Sequence, residues 1–187
     1  MKNPYIYGYL PLITIILFSL TFGLYTVTES IELFKSIGVY SGMREFLSEI
    51  QMRIFLLIIF ALCYFMLFSA LKLIGETIHE LAMLFFSKDL DGKTVHEARG
   101  GNVIFFFGAL ASAAGIQSFW ILLAIFMATT FIYFVYVIYK LSNYMTLGAT
   151  VGVMLFEIVI WFVLLTLIIY VVFKLYNGIV SSLPFSK

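Results

Sequence analysis

Long uncharged runs alternate with short polar segments along this chain, and several of the runs are long enough for a membrane. A helix needs about 20 mostly apolar residues to cross a hydrocarbon core of roughly 30 Å. The first run, residues 9–27, carries Pro11 in its opening turn, where proline costs a helix little. The second begins after Arg53 and stays uncharged through Leu71, predicting a span over 54–74. Residues 103–139 hold no charge at all. One helix over that stretch would reach roughly 55 Å, nearly twice the core thickness. Gly115-Ile116-Gln117-Ser118 is its natural break, giving spans over 101–116 and 119–140. The first of these is short, so a shallow or re-entrant segment is an alternative there. A last span, 147–173, is interrupted only by Glu157. The predicted fold class is an all-α integral membrane bundle of about five transmembrane helices, forming one membrane domain over residues 1–187.

Two further stretches have helical periodicity without spanning. Over 41–53, Met43, Phe46, Leu47 and Ile50 share one face, while Arg44, Glu45, Ser48 and Glu49 take the other. Such a helix lies in the membrane interface, or against the other spans, before turning into the second span. Over 75–87 the second span continues outward, with Glu76, His79, Glu80 and Ser87 extending the stripe that starts at Lys72. This segment reads as a cytoplasmic extension of the second helix. The polar stretch 87–102, with Asp-Gly and Gly-Gly pairs, reads as a loop.

Composition agrees with lipid as the solvent. Hydrophobic residues make up 63% of the chain and charged residues 11%, against roughly 25% charged in soluble domains. A net charge of +1 without any basic run argues against a nucleic-acid partner. Cys63 is the single cysteine, which rules out an internal disulfide, and it reads as a small buried hydrophobe. The uncharged N-terminal segment, 4–28, exceeds the ~7–15 apolar residues of a secretory signal, so a retained span is expected. Lys88, Lys93 and Arg99 lie together after the second span, whereas the cations of the preceding loop are offset by Glu29, Glu32, Glu45 and Glu49. The positive-inside tendency then sets the N-terminus in the cytoplasm. Trp120 at one end of the fourth span, with Tyr136, Tyr139 and Lys140 at the other, fits interface anchors.

Few residues offer chemistry. Glu157 comes first, because an intramembrane carboxylate costs at least ~2.5–3.5 kcal/mol at the bilayer centre and is a functional candidate by default. A span beginning at Leu147 places it near the midplane, with no cation at that depth in another span. A neutral acid bonded to Ser69, Thr129, Thr130 or a tyrosine is the expectation. The second candidate is the polar face of Lys72, Glu76, His79 and Glu80. Its Glu-x-x-His spacing resembles that of di-iron bundles, but the further ligands such a site needs are limited to His96, Glu97 and Glu157. Met83 stands where a zinc protease helix would carry its second histidine. No catalytic group, cofactor or metal site is therefore expected. Gly108, Ser112 and Gly115, with Ala111 and Ala114, form a small-residue face on the third span, and Gly148 with Gly152 makes a Gly-x-x-x-Gly. In lipid such faces allow close helix packing. Tyr133, Tyr136 and Tyr139 form an aromatic stripe on the fourth span, read as packing and anchoring.

The opening Met1-Lys2-Asn3-Pro4-Tyr5, the stretch Gly8-Tyr9-Leu10-Pro11-Leu12-Ile13 and the run from Tyr64 to Ile74 carry a resemblance. So do Leu84-Phe85-Phe86-Ser87-Lys88-Asp89 and Phe134-Val135-Tyr136. With these the chain resembles the YufK-like family of small membrane proteins in bacilli, over most of its length. The resemblance implies a bacterial cytoplasmic membrane and a polytopic helical fold, and it carries no catalytic residues. The expected role is a non-enzymatic accessory or interaction protein whose partners are the lipid bilayer and a membrane protein or a second copy. The alternative is a small transporter or channel subunit that uses Glu157 for proton or cation coupling.

Overall fold

Backbone amides inside a bilayer find no water, so an apolar run satisfies them internally and becomes a helix. The computed structural model describes residues 4–87 and 99–182, and all of the regular structure it describes is helical. In order these are α1 (Pro4–Ser36), α2 (Val39–Phe46), α3 (Glu49–Phe86), α4 (Asn102–Ser112), α5 (Phe119–Ser142) and α6 (Leu147–Ser182). Short 3-10 turns, Arg99–Gly101 and Ala113–Gly115, flank α4. Four stretches are long and apolar enough to cross a membrane: Gly8–Ser36, Glu49–Phe86, Phe119–Ser142 and Leu147–Gly178. The chain forms two compact units, Met1–Ile74 with Asp89–Tyr144, and Gly75–Lys88 with Met145–Lys187. Helix α3 is unbroken and contributes to both.

Of the helices expected to span, all but α4, which falls short of 101–116, outrun their predicted limits. α1 carries Glu29, Glu32 and Lys35 beyond its apolar run and stops at a turn where Gly38 takes φ 77°. That left-handed conformation suits glycine at a helix end. The amphipathic stretch 41–53, expected as one helix, is divided between α2 and α3. The physical reason is a reciprocal cap. The Ser48 amide donates to Gln51 Oε1 at 2.9 Å, and the Gln51 amide donates to Ser48 Oγ at 3.3 Å. This is a capping box, and it starts a new helix where the hydrophobic pattern alone would continue the old one. Leu47, extended at φ −129°, makes the corner. Met43 and Leu47 pack onto Val27, Ile31, Met52 and Leu56, so the corner holds α1 against the start of α3. Ser48→Ala is expected to cost about 1 kcal/mol, read as a lower unfolding free energy in mixed micelles with the secondary structure unchanged.

The main core of the first unit gathers Phe18, Phe22, Phe68, Ala109 and Leu122. Phe22 meets Phe68 edge-on with ring centroids 5.3 Å apart, and Phe18 meets Phe126 likewise at 5.4 Å. Two hydroxyl contacts tie helices together within it: Thr21 Oγ1 to Ser112 Oγ at 2.9 Å, and Thr26 Oγ1 to the Tyr64 hydroxyl at 3.0 Å.

α4 is shorter than its neighbours, and its flanking turns make up part of the difference. A 3-10 residue rises ~2.0 Å against 1.5 Å for α, so residues 99–115 reach roughly 28 Å, close to the hydrocarbon thickness. The pairing with α5 runs the whole way. Gly115 lies on Ile121 and Leu122, Gly108 on Thr129, Phe105 on Tyr133, and Gly100 on Tyr136. The result is an antiparallel hairpin whose short arm ends level with Ile121 at one end and Tyr136 at the other.

Candidate functional site

In the second unit, the last third of α3 meets the first half of α6. The sequence prepares both helices for it. Gly75, His79, Ala82 and Phe86 recur at four, three and four residues on α3, and Thr150, Val153, Glu157 and Trp161 at three, four and four on α6. These are the spacings of one helix face. The contacts run in opposite directions: Gly75 lies on Trp161, His79 on Glu157, and Phe86 on Gly152, with Phe85 and Phe86 both against Phe156. The two segments are therefore antiparallel. A Cβ on Gly152 would stand 2.5 Å from the Phe86 ring, so the glycine is what lets that ring lie on the α6 backbone.

Midway along this seam His79 Nδ1 and Glu157 Oε1 are 2.6 Å apart. Glu157 keeps 8% of its side-chain exposure and His79 keeps 18%. A contact this short is in the range of charge-assisted hydrogen bonds. Its other ring nitrogen, Nε2, is sealed from the surface and has no hydrogen-bond partner among the described residues.

The seam revises several expectations. The partner of Glu157 is an imidazole, not a hydroxyl of Ser69, Thr129, Thr130 or a tyrosine. Thr129 and Thr130 instead donate to carbonyls of their own helix, Ile125 O at 2.7 Å and Phe126 O at 2.9 Å. The polar stripe of α3 divides: Glu76 and Glu80 are exposed, while His79 turns inward because it shares the face of Gly75 and Ala82. Lys72 belongs to the first unit. Cys63 is exposed on α3 and not buried. Of the small residues, Gly108 lies against Thr129 and Ser112 is fully buried on Thr21. Gly152 meets Phe86, but a Cβ on Gly148 would meet nothing within 4 Å, so the Gly-x-x-x-Gly contributes one packing position. Tyr133 and Tyr136 cover the Gly100–Gly101 turn, and Tyr139 is exposed. His96 and Glu97 lie outside the described residues. Among the described residues no three His, Cys, Asp or Glu side chains come together as a metal site would need.

The pairing itself was hidden in the sequence, although both members were visible in it. Each is the lone ionisable residue on an otherwise apolar or small inner stripe, which marks it for a buried partner. The register that matches residue 79 to residue 157 is set by Phe86 on Gly152 and by Trp161 on Gly75, pairs 66 and 86 residues apart in the chain.

Residues 27–184 match the model of a family of unknown function, DUF5366. Over 185 residues the chain is 40% identical to a protein of Bacillus subtilis (strain 168) described as "Uncharacterized membrane protein YufK", covering 98% of this chain and 100% of that relative. No solved structure matches.

Proposed function

This chain belongs to DUF5366, a family of unknown function, and is a multi-pass membrane protein; from that premise we propose a non-enzymatic accessory protein of the bacterial cytoplasmic membrane that holds a second membrane protein at the tip of its second unit. The observation that supports this reading is the level of the His79–Glu157 contact, which ties the depth of α6 to that of α3. Two depths compete. With the pair at the bilayer centre, Lys72, Glu76 and Glu80 of α3 all lie within roughly 10 Å of the midplane. At ~2.5–3.5 kcal/mol for each charged group, that placement costs on the order of 8–10 kcal/mol. With α3 spanning at 54–74, His79 lies about 7 Å beyond the hydrocarbon, among the headgroups. On α6 the charge-free run then starts directly after Glu157, and Trp161 comes at the boundary, where tryptophan is favoured. This placement brings one charge, Lys174, to about 3 Å past the midplane, a cost of ~2.5–3.5 kcal/mol against three such charges in the first, and it is the cheaper of the two.

It leaves a two-helix tip beyond the pair, reaching about 10–15 Å further from the membrane. That tip is apolar outside as well as inside: Leu84 is 74% exposed, Phe85 67% and Leu147 83%. Apolar side chains clustered outside lipid mark a surface that another protein covers. With the N-terminus in the cytoplasm, the tip is cytoplasmic, on the side of Lys88, Lys93 and Arg99. A photo-crosslinking residue at Leu84 or Leu147 is expected to capture a discrete protein, a partner or a second copy, in intact membranes. The same label at Phe162, 71% exposed on the charge-free run of α6, should capture lipid alone. A chain that is strictly monomeric in mild detergent, with lipid adducts from every position, overturns the proposal.

A second reading, a proton- or cation-coupled transporter or channel subunit, draws on the same contact, because a carboxyl and an imidazole share a titratable proton. Glu157→Gln removes that titration, and a variant that keeps every phenotype across pH would count against coupling.

A further inference from the structure

Between α1 and α3 lies an apolar groove with a volume of about 260 Å³. Its floor is made by two small residues, Ser19 and Ala61. Ile16 and Leu20 rise beside the floor from α1, and Ile58, Leu62 and Phe65 rise from α3. The two backbones come close next to it, since a Cβ on Gly23 would stand 3.2 Å from the Ala61 amide nitrogen. We propose that this groove is a binding site for one acyl chain of a bilayer phospholipid. It belongs wholly to the first unit, so it is independent of the role proposed for the second.

Chemistry, depth and size agree on that occupant. The lining is uncharged, and its one polar side chain is already satisfied: Ser19 is 2% exposed, and its hydroxyl donates to Ile15 O at 2.6 Å. A headgroup would find no partner there, whereas a methylene chain needs none. Ile16 to Leu20 straddle the middle of the apolar run 9–27, and Ile58 to Phe65 lie within 54–74. The mouth of the groove therefore opens into hydrocarbon. A transmembrane helix is about 10–12 Å across and needs small residues to bring its backbone close. The small face of α1, Ser19 with Gly23, is already taken by α3. The seven lining residues are also far fewer than the roughly 20–30 a side of a stable protein interface. Apolar cavities of about 150 Å³ already take up small hydrocarbons. The reason is that side chains facing a void forfeit dispersion contacts, which a chain lying along the floor restores.

The full chain is reconstituted in phosphatidylcholine vesicles doped with a phosphatidylcholine that carries a diazirine midway along one acyl chain. Light attaches that chain to whatever it touches, and peptide mass spectrometry locates the adducts. Ile16, Leu20, Ile58 and Leu62 are expected to carry about threefold more adduct than Met66 and Leu67. Those two are 68% and 49% exposed a turn further along α3, so exposure alone would not favour the groove. Ala61→Leu, which fills the floor, should bring groove labelling down to the level of Met66 and Leu67. Equal labelling in the parent protein overturns the proposal, because lipid then merely brushes the helices. Groove labelling below that of Met66 and Leu67 also overturns it, in favour of a second copy seated there. Undiminished labelling in a folded Ala61→Leu protein removes the groove as its cause. The parent map decides the matter even if Ala61→Leu fails to assemble.

Discussion

Glu157→Leu is expected to lower the unfolding free energy by about 3–5 kcal/mol, and His79→Leu added to it should recover most of that loss. Removing one member of a buried pair leaves the other desolvated and unpaired, which is the expensive outcome. Removing both leaves two apolar side chains of suitable size on a seam that is otherwise apolar. Glu157→Gln, which keeps an acceptor for Nδ1–H, should fall between, at roughly 1 kcal/mol. The measurement is equilibrium unfolding in mixed micelles. Trp161 lies on Gly75, so its fluorescence follows this unit once Trp120 is replaced by Phe. The double-mutant cycle is informative in either direction. If the two losses simply add, the contact contributes no coupling and the seam is held by its rings and glycines alone.

Gly108→Ala should be the most damaging single methyl in the first unit. The added Cβ would overlap the Thr129 side chain and stand 2.8 Å from Thr129 Cβ itself, an atom fixed to the α5 backbone. Relief therefore requires α4 and α5 to move apart, at a cost of about 1–3 kcal/mol typical of overpacked cores. Thr129→Ala is expected to return part of the loss, since it removes two of the three clashing atoms. Gly152→Ala offers the contrast. Its obstacle is the ring of Phe86, 36% exposed and free to turn aside, so the cost should be smaller. Gly148→Ala, in open space, should be neutral or stabilise by up to ~1 kcal/mol through helix propensity. Thermal unfolding of the four variants in one detergent ranks them. Equal losses at positions 108 and 148 would refute this account of the hairpin.

The long apolar helices were legible because lipid imposes a coarse requirement: about 20 uncharged residues, read by counting. The long extension of α3 past Lys72 was legible for a similar reason, since its apolar positions keep helical spacing through Phe86. The break at Leu47 was overlooked because it depends on Ser48 and Gln51 bonding each other's backbone, a local signal that a hydrophobic pattern ignores. Ser-x-x-Gln was there to be read. Gly148 and Gly152 form one motif in sequence, yet only Gly152 faces a neighbour. Spacing puts both on one helix face and cannot say how far along that face the partner reaches. His79 and Glu157 show the deepest limit. Each was singled out separately, one as a wet stripe and one as a midplane acid, because depth was assigned helix by helix. A contact between helices assigns a single depth to both, which counting along either helix alone does not give.

The antiparallel seam of α3 and α6 also fixes where the chain departs and where it comes back. Phe86 and Gly152 touch, so α3 ends beside the start of α6. The chain between them therefore leaves and re-enters at one end of the seam, a closed excursion rather than a link between its two ends.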